Sequence, residues 1–209
     1  MKLIALILTF VIQLSSVHSL EGSKPVPFPT EVKFTERRYP FHTHYKLESP
    51  EGHLGEIIRE KMDVKSHFSF YGHRDDHELI AIASVRFFTL GQLFKWSNII
   101  DIYSPSNELL GKIKGCFLTT SPAKFEFYNN SEELLGIALM DEDSRGFNLL
   151  SPIDNFIIAR YTRIINEDGS EYWLLNIYQP DIIPSSFYSL FGAFIFDKEE
   201  DRPGTTAEN

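Results

Sequence analysis

Ile100-Asp101-Ile102-Tyr103-Ser104-Pro105, followed after a short gap by Leu109-Leu110-Gly111-Lys112-Ile113, is the stretch that decides the fold. Its first half alternates apolar and polar residues, the pattern of a strand with one buried face. Ser-Pro then breaks the strand as turn residues do. The second half is apolar again and carries a glycine, which inside a strand marks a bulge or a close backbone approach. Two strands joined by a short polar turn make a hairpin.

The same grammar recurs on both sides of this stretch. One copy is Tyr45–Pro50 with Leu54–Ile57, another Phe125–Asn130 with Leu134–Ile137, and a third Phe147–Pro152 with Phe156–Ala159. A degenerate copy runs Phe68–Gly72 with Leu79–Ala81. A further hairpin is predicted from Ile157–Ile165 to Trp173–Tyr178, with Asn166-Glu167-Asp168-Gly169 as its turn. The copies recur every ~25 residues, too close for βαβ units of roughly 30 or more residues. They are also too few for propeller blades of about 40 residues each. A closed barrel removes the edges that so many hairpins would otherwise expose. Its interior also accounts for 18 Phe, 9 Tyr and 2 Trp in 209 residues.

One segment departs from the pattern. Phe187-Tyr188-Ser189-Leu190-Phe191-Gly192-Ala193-Phe194-Ile195-Phe196 is apolar nearly all round and follows Pro184-Ser185-Ser186, a good N-cap. A helix apolar on every side is buried on every side, so a helix near 186–196 running through the core is expected. A last strand is the alternative, because Phe194-Ile195-Phe196 has β character. Residues 199–209 read as an acidic, frayed tail, and the polar run begins at Asp197.

At the other end, Met1-Lys2, the apolar run Leu3–Leu14 and the small residues before Ser19 follow the order of a secretory signal peptide over residues 1–19. Cleavage is expected between Ser19 and Leu20. An uncleaved membrane anchor is the alternative, although about 12 apolar residues fall short of the roughly 20 that span a bilayer. No second stretch is long and apolar enough for a transmembrane helix in the mature chain, which is expected to be secreted or periplasmic. Residues 20–40, with three prolines between Pro25 and Pro29 that favour an extended linker or an edge strand over a helix, read as an extended segment preceding a barrel domain over 41–198.

Composition excludes several classes. Aromatic residues at 14% and charged residues at 23% exclude a disordered chain. A net charge of −9 argues against nucleic acid as a partner, since that affinity comes from lysines and arginines on phosphates. Cys116 is the sole cysteine, so no intramolecular disulfide forms, and its apolar flanks favour an inert, buried thiol. Asn129-Asn130-Ser131 is a glycosylation acceptor pattern.

The hairpins with their Tyr/Phe-turn-Leu-Gly signature resemble the Tubby C-terminal-like superfamily, above all its phospholipid scramblase and LURP-one-related branch. The closest stretches are Asp101–Pro105 with Leu110–Ile113, and Phe127-Tyr128 with Leu134–Gly136. The apolar Phe187–Phe196 run followed by Asp197 looks like that branch's central helix. The resemblance implies a mainly β, closed antiparallel barrel of about twelve strands around a central C-terminal helix. It also implies a non-enzymatic binding domain whose partner is a lipid headgroup or another protein. Tubby domains hold phosphoinositides with paired basic residues, and the nearest counterparts here are Lys33, Arg37 and Arg38.

A second candidate site is His73-Arg74-Asp75-Asp76-His77-Glu78, where His73, Asp75, Asp76 and His77 are possible metal ligands. A metal-dependent or hydrolytic enzyme using this turn is the competing function. His42-x-His44 places two imidazoles on one face of a strand, again a metal-compatible spacing. Asp141-Glu142-Asp143 is an acidic turn. No G-x-S-x-G, H-E-x-x-H or P-loop pattern occurs, and no cofactor is implied.

Overall fold

The computed structural model describes residues 28–60, 66–73, 77–86, 96–116, 123–143 and 145–200. The expected signal segment and its cleavage site at Ser19 and Leu20 lie outside them, as do Asp75 and Asp76 of the predicted metal turn. Among the described residues there are twelve strands: β1 Glu31–Arg38, β2 His42–Ser49, β3 Gly52–Glu60, β4 His67–Gly72, β5 Leu79–Val85, β6 Ile99–Tyr103, β7 Leu109–Gly115, β8 Lys124–Asn129, β9 Leu134–Met140, β10 Gly146–Leu150, β11 Ile157–Ile165 and β12 Glu171–Ile177. Each pairs antiparallel with its neighbour in sequence, and β1 pairs with β12 to close the barrel. A helix, α1 at Ser185–Glu200, follows β12.

The repeated hairpins share one device. In each of the five, the register slips by one residue just after the turn. The residue left unpaired is Leu54, Ile80, Leu110, Leu135 or Ile158, and the next is Gly55, Ala81, Gly111, Gly136 or Ala159. At Gly111 the reason for glycine is visible: its φ is 155°, and a Cβ there would lie 2.1 Å from the backbone oxygen of Tyr128. The bulge bends each hairpin and sharpens its twist, which is what a sheet of short strands needs to curl shut.

The chain departs from the expected boundaries at both ends of the barrel. Residues 31–38 do not form an extended lead-in: Val32 and Phe34 are fully buried, and Phe34 stands opposite Trp173 on β12. The alternation of these apolar residues with Glu31 and Lys33 is strand grammar that the upstream prolines mask in the sequence. The helix runs past Phe196 to Glu200, so the polar segment begins inside it, with Asp197 and Glu199 buried.

The helix fills the barrel. Every residue from Ser186 to Asp197 is buried. Phe191 sits at the centre, with ring centroids 5.1 Å from Phe125 and Phe127, 5.6 Å from Phe147 and 5.4 Å from Tyr161, all near edge-to-face. The Tyr161 hydroxyl donates to the Tyr188 carbonyl at 2.9 Å, and burial holds that phenol protonated. The polar end of the helix is held by wall residues. The Tyr45 hydroxyl donates to Asp197 at 3.1 Å, and Arg59 forms an ion pair with the same carboxylate. Arg163 reaches Glu199 at 3.5 Å and also pairs with Glu171. These partners are why two acidic groups tolerate burial.

Gly192 faces Phe34 at the tightest point of this packing. A Cβ there would stand 2.6 Å from Phe34 Cζ. Gly→Ala in a helix interior ordinarily stabilises by roughly 1 kcal/mol; here the overpacking reverses the sign. Gly192→Ala is expected to destabilise the fold by about 1–3 kcal/mol, read as a lower midpoint in thermal or denaturant unfolding.

Candidate binding face

With the interior occupied, the outer surface is where the chain can meet a partner, and its most distinctive part is the face of β1–β4. Alternation on β2 turns Thr43, Tyr45 and Leu47 inward and His42, His44, Lys46 and Glu48 outward. On β3, Gly55 and Ile57 are buried while Glu56, Ile58 and Glu60 face out. The register sets His42 opposite Glu60, His44 opposite Ile58 and Lys46 opposite Glu56. Six of the seven histidines, from His42 to His77, therefore fall on this face or at its turns.

The side chains here are ordered by contact. His44 Nδ1 lies 2.9 Å from Glu56 Oε2. A carboxylate only accepts, so Nδ1 is the donor in this contact. His42 and His44 have ring centroids 4.8 Å apart, and Tyr39 stacks on His42 at 4.8 Å while meeting His44 edge-on at 5.0 Å. Beside them opens a shallow cavity of about 380 Å³ lined by Phe41, His42, His44, Ile58 and Glu60. Phe41 is 64% exposed at its rim.

The residues singled out from sequence are placed around this face without converging. Lys33 and Arg37 both point outward from β1, about 13 Å apart along the strand at ~3.3 Å per residue. Lys33 Nζ sits 4.3 Å above the Tyr172 ring, and Arg37 stands opposite His44 in the ladder. Arg38 belongs to the opposite strand face and bonds Glu36 at 3.1 Å. His73 packs edge-on against His53 at 4.5 Å, whereas His77 turns to Glu56, with Nδ1 4.0 Å from Oε1. Thus His73 and His77 take different partners. Among the described residues no three His, Cys, Asp or Glu side chains already stand together as a metal site. In the acidic turn, Asp141 accepts from Asn148 and faces Arg160 at 3.5 Å. Cys116 is half-buried, and burial raises its pKa, which favours the thiol. The Asn129 side chain is engaged with Glu133 and the Ser131 amide.

The cavity itself is invisible to sequence reading. His42 and His44 are legible as a pair, but Glu60 joins them only through the β2–β3 register, which the bulge at Leu54 shifts by one residue.

Comparison with known proteins bears on the barrel alone. A crystal structure of a protein from Arabidopsis thaliana, AT5G01750, superposes with a TM-score of 0.53 over 82% of this chain and 93% of that one, at 8% sequence identity. At that identity the likeness establishes a related barrel fold. No family model matches the sequence, and no curated protein matches it. Among the described residues no helix is long and apolar enough to cross a membrane.

His53 gives this face a pH response. Its pKa is lowered, first by burial and then by the neighbouring His73. The unfolded chain therefore takes up a proton at higher pH than the folded one does, so stability is full above the ordinary imidazole range of about 6.5 and falls as pH drops through it. Thermal melts between pH 7.5 and 5 should show a decline that is smaller in His53→Gln. An identical decline in both would remove His53 as its source.

Proposed function

We propose that this protein is an exported, non-enzymatic binding module of the Tubby-like, scramblase and LURP-one type, and that it recognises a lipid headgroup with the outer face of β1–β4. The observation that carries the proposal is the filled barrel. Side chains from all twelve strands and the helix occupy the interior, so recognition falls to the outside. The hairpin signature and the related barrel of the Arabidopsis protein support the kinship. On this face Lys33 and Arg37 supply cationic donors, and the cavity beside Phe41 supplies an apolar lodging next to Arg37, which stands opposite His44. A basic strand next to an exposed aromatic suits a headgroup whose phosphate meets the cations while its apolar part meets the ring. In the same reading the chain is exported through residues 1–19 and begins at Leu20 once mature, which terminal sequencing of the exported protein checks directly.

Co-flotation with vesicles of varied headgroup at physiological salt tests the binding. Saturable, headgroup-dependent flotation is expected, reduced at least fivefold in a Lys33→Gln/Arg37→Gln double variant that retains its melting midpoint. Flotation with no vesicle composition would overturn the lipid reading and make a protein the partner to seek.

A further inference from the structure

The imidazole pair on β2 can do more than line a cavity. We propose that His42, His44 and Glu60 form a binding site for a zinc-like divalent transition-metal ion, with Glu56 as the residue that orients His44. It shares its cavity with the lipid proposal but rests on other side chains, and its test uses zinc in the absence of lipid.

Four observations carry it. First, two imidazoles bound to one tetrahedral zinc ion have centres about 5 Å apart, at ordinary zinc–nitrogen distances of ~2.0–2.1 Å, and those of His42 and His44 are 4.8 Å apart. Second, His44 is oriented from behind. Its Nδ1 donates to Glu56 at 2.9 Å, so Nε2 is the nitrogen a metal ion would meet. A carboxylate behind a ligating histidine both fixes its ring and raises its basicity. Third, Glu60 is exposed, lies opposite His42 in the ladder and lines the same cavity. The three side chains do not stand together without the ion; the proposal requires the exposed Glu60 side chain to turn toward the imidazoles and complete a His₂Glu set. Fourth, the cavity leaves room at the remaining position for a water or an anionic group.

The local charge balance decides between an anion and a cation at this spot. Arg37 stands opposite His44, and Lys46 lies across from Glu56, but the Lys46 ammonium is engaged with Glu48 at 2.7 Å. Glu56 and Glu60 together supply two carboxylates to the imidazole pair. A site of two imidazoles and one carboxylate, with a second carboxylate behind His44, matches a divalent ion of intermediate softness better than it matches calcium or magnesium, which prefer oxygen throughout. It also differs from the turn marked by sequence, because neither His73 nor His77 is a ligand.

Calorimetric titration of the purified protein with zinc chloride alone tests this. The expected result is saturable binding of one ion, with no comparable response to calcium or magnesium. His42→Ala and His44→Ala are each expected to weaken it at least tenfold, and since both side chains lie on the outer face and not in the core, unfolding midpoints of each variant confirm that the loss is one of binding. Glu56→Gln leaves the ligands in place but removes the orienting carboxylate, and a loss of roughly 10–100-fold is expected. His73→Ala/His77→Ala is expected to bind like the parent. No zinc binding, or binding that survives His42→Ala and His44→Ala, would overturn the proposal. Loss confined to the His73→Ala/His77→Ala variant would move the site to the β4–β5 turn and overturn it equally.

Discussion

The contact between α1 and the barrel wall is the constraint on which the rest of the structure depends. A helix with Phe, Tyr, Leu and Ile on every side has no face it can show to water, so it needs apolar cover through a full turn around its axis. Two packed sheets would leave its flanks open; a closed barrel does not. The converse holds for the wall. A twelve-stranded ring is too wide for its own side chains to meet across the centre, and without the helix it would enclose a void whose lining had lost its packing partners. The Phe191 cluster is where the two requirements meet. Wall and helix are each other's core, and neither is stable as a separate body.

Closure imposes the next demand. Twelve short strands must curl into a ring, and the chain meets this by repeating one bulge at the same place in five hairpins. The bulge also explains the apparent redundancy of the sequence. The recurring small residue records a steric requirement: at Gly55 and Gly111 a Cβ would meet a neighbouring backbone oxygen, and at Gly136 it would meet the side chains of Ile183 and Leu149. The polar lock of Arg59, Tyr45 and Asp197, with Arg163 and Glu199 beside it, then marks the exit of the helix, where apolar packing gives way to charge. The lock acts at the end of the barrel opposite the five bulged turns.

Much of this architecture was legible because it is written in local patterns. Period-two alternation, turn residues and the uncharged run 187–196 each report on their own neighbourhood, and each corresponds to an element of the structure. What was not legible depends on register or on distant partners. The strand at 31–38 was obscured by the prolines before it, and only its pairing with β12 shows that it closes the ring. The burial of Asp197 and Glu199 contradicts their residue type, and becomes intelligible only with Arg59 and Arg163 from two separate strands. The binding face shows the same division. His42-x-His44 is a local signal, whereas the roles of Glu56 and Glu60 follow from a one-residue register shift. The dense turn at 73–78 was conspicuous in sequence because many ligand types crowd together there, yet His73 and His77 are drawn to different neighbours.

The position of the helix after all twelve strands has a consequence for how the molecule is made. Tyr45 and Asp197, joined across 152 residues, cannot meet until all twelve strands and most of α1 have been synthesised. Until then the wall has no helix to close upon, and until β12 is made its first strand has no last strand to pair with. The nascent chain thus accumulates hairpins without a native resting state, and commitment comes in a single late step dominated by distant contacts, which are slow to form. During that interval the phenylalanine-rich strand faces lie open, so the molecule is most prone to aggregation just before its final segment arrives. Shortening the chain by its last helix would therefore leave a protein that never completes folding, rather than a smaller folded one.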